Sequence, residues 1–255
     1  LAQNVVSARA GLVNYTEGAV TLRESPVSLT TKQPYIEMKD GDVVQTARGR
    51  AEVLLSPGTI MRLAEDTAVR LESGSLTDTR LVVLEGDVIV EAAEIFEGGR
   101  LVVKLADREA EITKTGIYRF TTDPAELRVY EGRVEMPAAN GKVVTAKKGG
   151  VVSMSDSLVG RRFDSDLSDT FYRWASRRSS YIATANVSAA QMAKDNLFGF
   201  GFRGGWLYNP YFGMVTYIPY NRMVISPFGY RYYTPSSIYA VYAPPPSFGG
   251  NSAAM

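Results

Sequence analysis

The sequence predicts a mainly β protein: a β-sandwich or short β-solenoid, then a helical segment, then an irregular, aromatic-rich tail. Three observations carry that expectation. Over residues 1 to 160, short apolar runs alternate with tight turns, the two-residue style of strands. Over residues 161 to 196 the period lengthens to three or four, the spacing of one face of a helix. Over residues 197 to 255 charge almost disappears, with no Asp, Glu or Lys and only Arg203, Arg222 and Arg231.

In the first region, Ala51-Glu52-Val53-Leu54-Leu55 leads into Ser56-Pro57-Gly58-Thr59, a turn with Pro and Gly at its centre, and Ile60-Met61-Arg62-Leu63 runs back. That is a hairpin. Strands follow at short intervals at Val69 to Leu71, Arg80 to Val90, Leu101 to Leu105, Ala110 to Thr113, Ile117 to Thr121 and Leu127 to Met136. Asn140-Gly141, between Arg133-Val134-Glu135-Met136 and Lys142-Val143-Val144-Thr145, is a two-residue hairpin signal. One local pattern recurs as Glu17-Gly18-Ala19-Val20, Glu85-Gly86-Asp87-Val88 and Glu131-Gly132-Arg133-Val134, with a looser echo at Gly41-Asp42-Val43-Val44. Its Gly is expected at a bulge or strand junction where a side chain would clash. The uneven spacing makes this pseudo-repetition within one domain rather than a solenoid period.

In the second region Leu167, Phe171, Trp174, Arg178, Tyr181 and Ala185 form a stripe along a predicted helix that packs on the β domain. Asp166 and Asp169 are placed in its first turn, where carboxylates satisfy free N–H groups, and Arg173, Arg177 and Arg178 in later turns. Ser188 reads as the cap of a second short helix ending at Lys194.

The tail holds 9 of the 15 Tyr, 6 of the 10 Phe, one of the 2 Trp and 7 of the 12 Pro. The prolines exclude a long helix. Ordering such a segment costs backbone entropy that is offset only if nearly every ring is covered, so the tail is expected to lie on its own body or on a neighbouring subunit. Asn209-Pro210-Tyr211-Phe212-Gly213 and Ser226-Pro227-Phe228-Gly229-Tyr230 read as two turns of one design. Between them, Met214-Val215-Thr216-Tyr217-Ile218 reads as a strand able to extend a neighbour's sheet edge.

Composition narrows function. The 255 residues contain no His and no Cys, with 28 basic and 27 acidic side chains for a net charge of +1. Histidine-based triads, histidine-ligated zinc or haem, thiolate nucleophiles, disulfides and iron–sulfur clusters are excluded. A carboxylate hydrolase would have to use pairs such as Asp40 and Asp42 or Asp164 and Asp166. Residues two apart serve equally as turn and cap residues, so the expectation is a non-catalytic protein without cofactor or metal. Near-zero net charge argues against nucleic acid as partner. No apolar run approaches the ~18 residues of a membrane span. A start at Leu1-Ala2-Gln3 suits a mature secreted or periplasmic protein after removal of a signal peptide.

The β region resembles the FecR domain, the extracytoplasmic module of bacterial regulators of ferric-citrate uptake. The resemblance rests on Gly41-Asp42-Val43-Val44-Gln45-Thr46, Ala51 to Leu55, Ile60 to Leu63, Leu84-Glu85-Gly86-Asp87-Val88, Gly116-Ile117-Tyr118-Arg119-Phe120, Val129-Tyr130-Glu131-Gly132-Arg133-Val134 and Lys148-Gly149-Gly150. It covers about residues 12 to 155 and implies an all-β, secreted or periplasmic, non-catalytic domain. The helix and aromatic tail look like the arrangement in acidobacterial FecR-domain proteins. No site residues transfer with the resemblance.

These readings predict a FecR-like β domain over 1–160, an amphipathic helical segment over 161–196 and a tail over 197–255 docked in cis or on a neighbouring subunit. The leading expectation for function is a secreted structural protein that self-assembles into a filament or tube. Its assembly residues would be Trp206, Tyr208, Tyr211, Phe212, Tyr217, Tyr220, Phe228, Tyr230, Tyr232, Tyr233, Tyr239 and Tyr242. The alternative is an extracytoplasmic binding or sensing module for cell-envelope glycan or a protein partner, with the same aromatics exposed for stacking on sugar rings.

Overall fold

The computed structural model of the chain describes residues 9–138, 141–154, 160–166, 168–195 and 204–241. Sixteen strands form one sheet. They are β1 (Leu12–Leu22), β2 (Ser25–Pro26), β3 (Ile36–Glu37), β4 (Val43–Leu54), β5 (Thr59–Leu63), β6 (Ala68–Ser75), β7 (Asp78–Glu85) and β8 (Asp87–Ala92). Then come β9 (Arg100–Leu105), β10 (Arg108–Ile112), β11 (Gly116–Thr122), β12 (Ala125–Glu131), β13 (Arg133–Pro137), β14 (Val143–Lys147), β15 (Gly150–Ser153) and β16 (Gly160–Arg162). A helix α1 (Thr170–Lys194) follows, then β17 (Gly205–Asn209) with β18 (Met214–Ile218), β19 (Val224–Ile225) with β20 (Arg231–Tyr232), and a 3-10 turn at Ile238–Val241.

The hydrogen-bonded order of the large sheet is β14, β13, β10, β9, β7, β6, β4, β5, β8, β11, β12, β15, β16, with β1 alongside β4 and carrying β2 and β3. β7 pairs β9 in parallel, and every other described pair is antiparallel. The sheet curls until β14 touches β12 and β15, so it nearly closes around one apolar core. The predicted hairpin is present with Ala51 opposite Leu63, and β13 pairs β14 as the Asn140-Gly141 signal requires, Asn140 itself lying outside the described residues.

Two predicted strands are each two. Arg80 to Val90 divides at Gly86, and Leu127 to Met136 divides at Gly132. Both glycines hold the left-handed backbone, with φ +86° and +98°. A Cβ would lie 2.3 Å from Thr67 Oγ1 at the first and 2.0 Å from Tyr118 Oη at the second, so these two Glu-Gly pairs mark corners where the chain changes strand, whereas Glu17-Gly18 lies within β1 at a bulge.

Alternation on β4, β5 and β8 sends Val53, Met61 and Val90 into the core and Glu52, Leu54, Ile60, Arg62, Ile89 and Glu91 to the outer face. A second layer covers that face. The first half of α1 lays Phe171, Trp174 and Ala175 on Ile89 and Ile117. The β17–β18 hairpin is buried on both faces. Trp206, Val215 and Tyr217 meet Leu12, Leu54 and Ile60 on one side, while Leu207 and Ile218 meet Ala189 and Ala190 of α1 on the other.

A charged cluster joins the layers. Arg62 Nε donates to Glu52 (2.9 Å), Nη1 to Glu91 (2.8 Å) and Nη2 to Ser179 Oγ of α1 (3.0 Å). Arg178 Nη2 donates to Glu52 (2.8 Å), and Ser179 donates to Glu91. Asn14 Nδ2 donates to Glu52 while its Oδ1 accepts the Val215 N–H, which brings the hairpin into the same network. Two acids face two guanidiniums, so the charges balance within the seam. Such a cluster adds less to stability than to the choice of one arrangement, because desolvation consumes most of the Coulombic gain.

The helix corrects three expectations. It is continuous through Ser188, whose hydroxyl donates to Ala185 O and accepts from Asn209 Nδ2, so there is no second helix to cap. Asp169 is the N-cap, accepting the Tyr172 N–H at 2.8 Å, whereas Asp166 precedes the helix and donates its N–H to Asp164. Phe171, Trp174, Arg178 and Ala185 are buried as the stripe predicts, but Tyr181 is exposed and Ile182 takes the inward position; Leu167 lies outside the described residues.

Candidate binding groove

Three segments remote in sequence meet at one end of the seam. The first is the β4–β5 turn, with Pro57 and Gly58. The second is the loop from Ala93 to Gly99 between β8 and β9, which is anchored to that turn. Ala93 N–H donates to Gly58 O (2.8 Å), Thr59 Oγ1 donates to Glu94 O (3.2 Å), and Gly99 N–H closes the loop on Phe96 O (3.0 Å). The third is the chain from Tyr217 to Ile225, fixed at its ends by the buried Tyr217 and Val224, with Tyr220 to Met223 exposed between them.

Between these walls lie two adjoining cavities of about 480 and 450 Å³ that share Glu94, Ile95 and Arg222. The larger adds Phe96, Glu97, Tyr217, Tyr220 and Asn221; the smaller adds Met223 and Ile225, together with Thr113 and Lys114 from a fourth segment, the β10–β11 connection. Phe96, Tyr220, Met223 and Ile225 are four of the exposed large apolar residues of the described chain, so the groove brings several of them together in one place. Its charges balance, with Glu94 and Glu97 against Lys114 and Arg222. Burial pushes the Glu94 carboxyl above its ordinary range, and the nearby Arg222 charge only partly opposes this. The lining suits noncovalent capture: open, mixed in polarity, with apolar rings at the rim and hydrogen-bonding groups between them.

The twelve predicted aromatics separate into distinct environments. Trp206, Tyr217 and Tyr232 are buried within their own chain, and Trp206 Nε1 donates to Leu55 O at 2.9 Å. These three rings are covered in cis and cannot reach a neighbour. Tyr208, Phe228, Tyr230 and Tyr233 are half-buried, Phe228 against Tyr172 and Tyr230 hydrogen-bonded to Ser176. Tyr211, Phe212, Tyr220 and Tyr239 are exposed, and of these only Tyr220 lines the groove; Tyr242 lies outside the described residues. Met214 to Ile218 does not offer an edge to a neighbour. Its carbonyl at Tyr217 accepts from Asn186 Nδ2 (2.8 Å), its Val215 N–H is taken by Asn14, and both faces are buried. The two Pro-Gly turns do share a design, since Asn209 Oδ1 accepts the Tyr211 N–H and Ser226 Oγ accepts the Phe228 N–H.

Three of the four paired carboxylates are taken up by backbone N–H groups. Asp40 accepts the Gly74 N–H and pairs with Arg9, Asp42 accepts the Lys39 N–H, and Asp164 accepts the Asp166 N–H. Among the described residues no group of three or more acidic side chains is placed to hold a metal ion. Sequence reasoning missed Glu94, Phe96 and Arg222, which neither motif nor periodicity singles out. The shortage of charge around Arg222 was their only available signal.

Residues 42–135 match the family model described as FecR protein. No curated protein matches the chain significantly. Among solved structures, one described as an anti-sigma factor from Parabacteroides distasonis is similar, with 14% identity and a TM-score of 0.42 over 49% of this chain. The match spans 61% of that protein. No helix among the described residues is long and apolar enough to cross a membrane. The matched segment, residues 42–135, supplies the β4–β5 turn and the Ala93–Gly99 loop of the groove, so that part of the chain is similar to the FecR family.

Proposed function

We propose that the chain is a non-catalytic, extracytoplasmic binding module in which a FecR-family β domain and its own C-terminal layer together form the ligand site. The observation that carries this reading is the groove, whose walls come one from the FecR segment and one from the tail. Extracytoplasmic placement goes with the family, and the absence of His and Cys in the whole sequence suits a passive binder in an uncontrolled medium.

Hydrogen exchange of the full chain, with and without an extract of the cell envelope, tests the reading. Protection confined to residues 93–97 and 217–225 is expected. Protection elsewhere, or none, contradicts it.

Self-assembly has one specific observation behind it. Tyr211 and Phe212, at the tip of the β17–β18 hairpin, are 83% and 48% exposed and project two rings from the body. If the tip is adhesive, replacing both with Ser abolishes any concentration-dependent increase in sedimentation coefficient. If the replacement leaves that increase intact, the tip plays no part in assembly.

A further inference from the structure

We infer that the groove takes a short, neutral oligosaccharide, with Phe96 and Tyr220 as its stacking platforms and Glu94, Asn221 and Arg222 as the groups that grip sugar hydroxyls. The inference rests on the binding-module reading and adds the class of ligand. Four features of the site lead to it.

Charge is the first. Glu94 and Glu97 offset Lys114 and Arg222, so the lining has no net sign with which to select a phosphate, a polyanion or a cationic peptide. Shape is the second, because two neighbouring cavities that share Glu94, Ile95 and Arg222 in their linings are open to solvent, unlike a closed apolar chamber for a lipid tail.

The third is the pairing of residue types. A sugar ring presents an apolar face of C–H groups and an edge of paired hydroxyls. Phe96 and Tyr220, 46% and 60% exposed, offer flat apolar surfaces to the faces. A carboxyl, an amide and a guanidinium are planar groups with two atoms each for adjacent hydroxyls. The fourth is rigidity. Phe96 stands on a loop tied to the β4–β5 turn, and the Tyr220 arc is held at both ends by buried side chains, so little order has to be created on binding.

The test uses the full chain titrated calorimetrically with cellotetraose and with chitotetraose. Saturable binding of at least one is expected, weakened about tenfold or more by Tyr220→Ala and by Phe96→Ala and unchanged by Tyr239→Ala. All three rings are exposed, so folding survives each change, and circular dichroism verifies it. Binding that ignores the two groove substitutions overturns the site. No binding of either sugar at millimolar concentration overturns the ligand class.

A photo-crosslinking amino acid at position 220, irradiated with envelope extract, separates that failure from the failure of the underlying reading. A protein adduct without sugar binding leaves a binding module for a protein ligand. Neither adduct nor sugar binding overturns both.

Discussion

Arg62 shows how much of this fold depends on single side chains. Its guanidinium is fully buried and holds Glu52, Glu91 and Ser179 at once. Arg62→Leu leaves Glu52 buried with Arg178 and Glu91 buried with Ser179 but no guanidinium, and is expected to cost about 3–5 kcal/mol, read from urea unfolding. Replacing Glu52, Arg62 and Glu91 together by apolar residues is expected to recover most of that loss. Burial alone pushes the Glu52 carboxyl up, but Arg178 and Arg62 outweigh it and hold it below the usual carboxylate range. A folded-state value below the unfolded one contributes stability that is present above the ordinary carboxylate range and is lost as pH falls through it. The urea midpoint is therefore expected to drop between about pH 7 and about pH 3, and to drop less in Glu52→Gln. The acids and Arg62 of this cluster were invisible in the sequence because outward positions of a strand ordinarily face water. One clue was present: Arg178 falls on the apolar stripe of the helix, and a guanidinium there needs a buried acid.

The elements of the protein were legible in proportion to how local their causes are. The 51–63 hairpin follows from Pro and Gly at one turn, and α1 from its own periodicity. Its start is set by Asp169, which caps the Tyr172 N–H and also pairs with Arg119 at 2.6 Å. Asp169→Ala is expected to cost about 1 kcal/mol, seen as a lower thermal midpoint, with Asp169→Ser recovering most of it. Strand breaks at Gly86 and Gly132 were marked by the recurring Glu-Gly pair, yet the apolar runs around them read as continuous because chain direction leaves no trace in hydropathy. Ser188 misled for the opposite reason. It has the composition of a cap, but its hydroxyl bonds within the helix and to Asn209 of the hairpin, a long-range partner that local sequence does not reveal.

At the scale of the whole molecule, the tail is the part whose composition was plain and whose placement was not. Sixteen aromatics with almost no charge announce that rings must be covered, but they do not name the covering surface. In the structure the rings of Trp206, Tyr217 and Tyr232 are covered against the outer face around Leu12, Leu54 and Ile60, while Tyr211, Phe212, Tyr220 and Tyr239 stay exposed, and the same docking creates the groove from segments that sequence separation keeps apart. Removing residues 164–255 uncovers Leu12, Leu54, Ile60 and Ile89 along with the charged cluster. The shortened β domain is expected to scatter light and to unfold at a lower urea concentration than the full chain; an equal midpoint would show that the second layer is an optional attachment. Docking of the tail in cis is the central claim, and the two Trp allow a direct measurement of it, since Trp206 is the indole of the tail and Trp174 that of the helix. In a Trp174→Phe chain, acrylamide quenching followed from submicromolar to high protein concentration reports Trp206 alone. Docking in cis predicts blue-shifted, protected emission at every concentration, whereas red-shifted, quenchable emission at low concentration that becomes protected only as the chain is concentrated would place the tail on a neighbour and contradict the account.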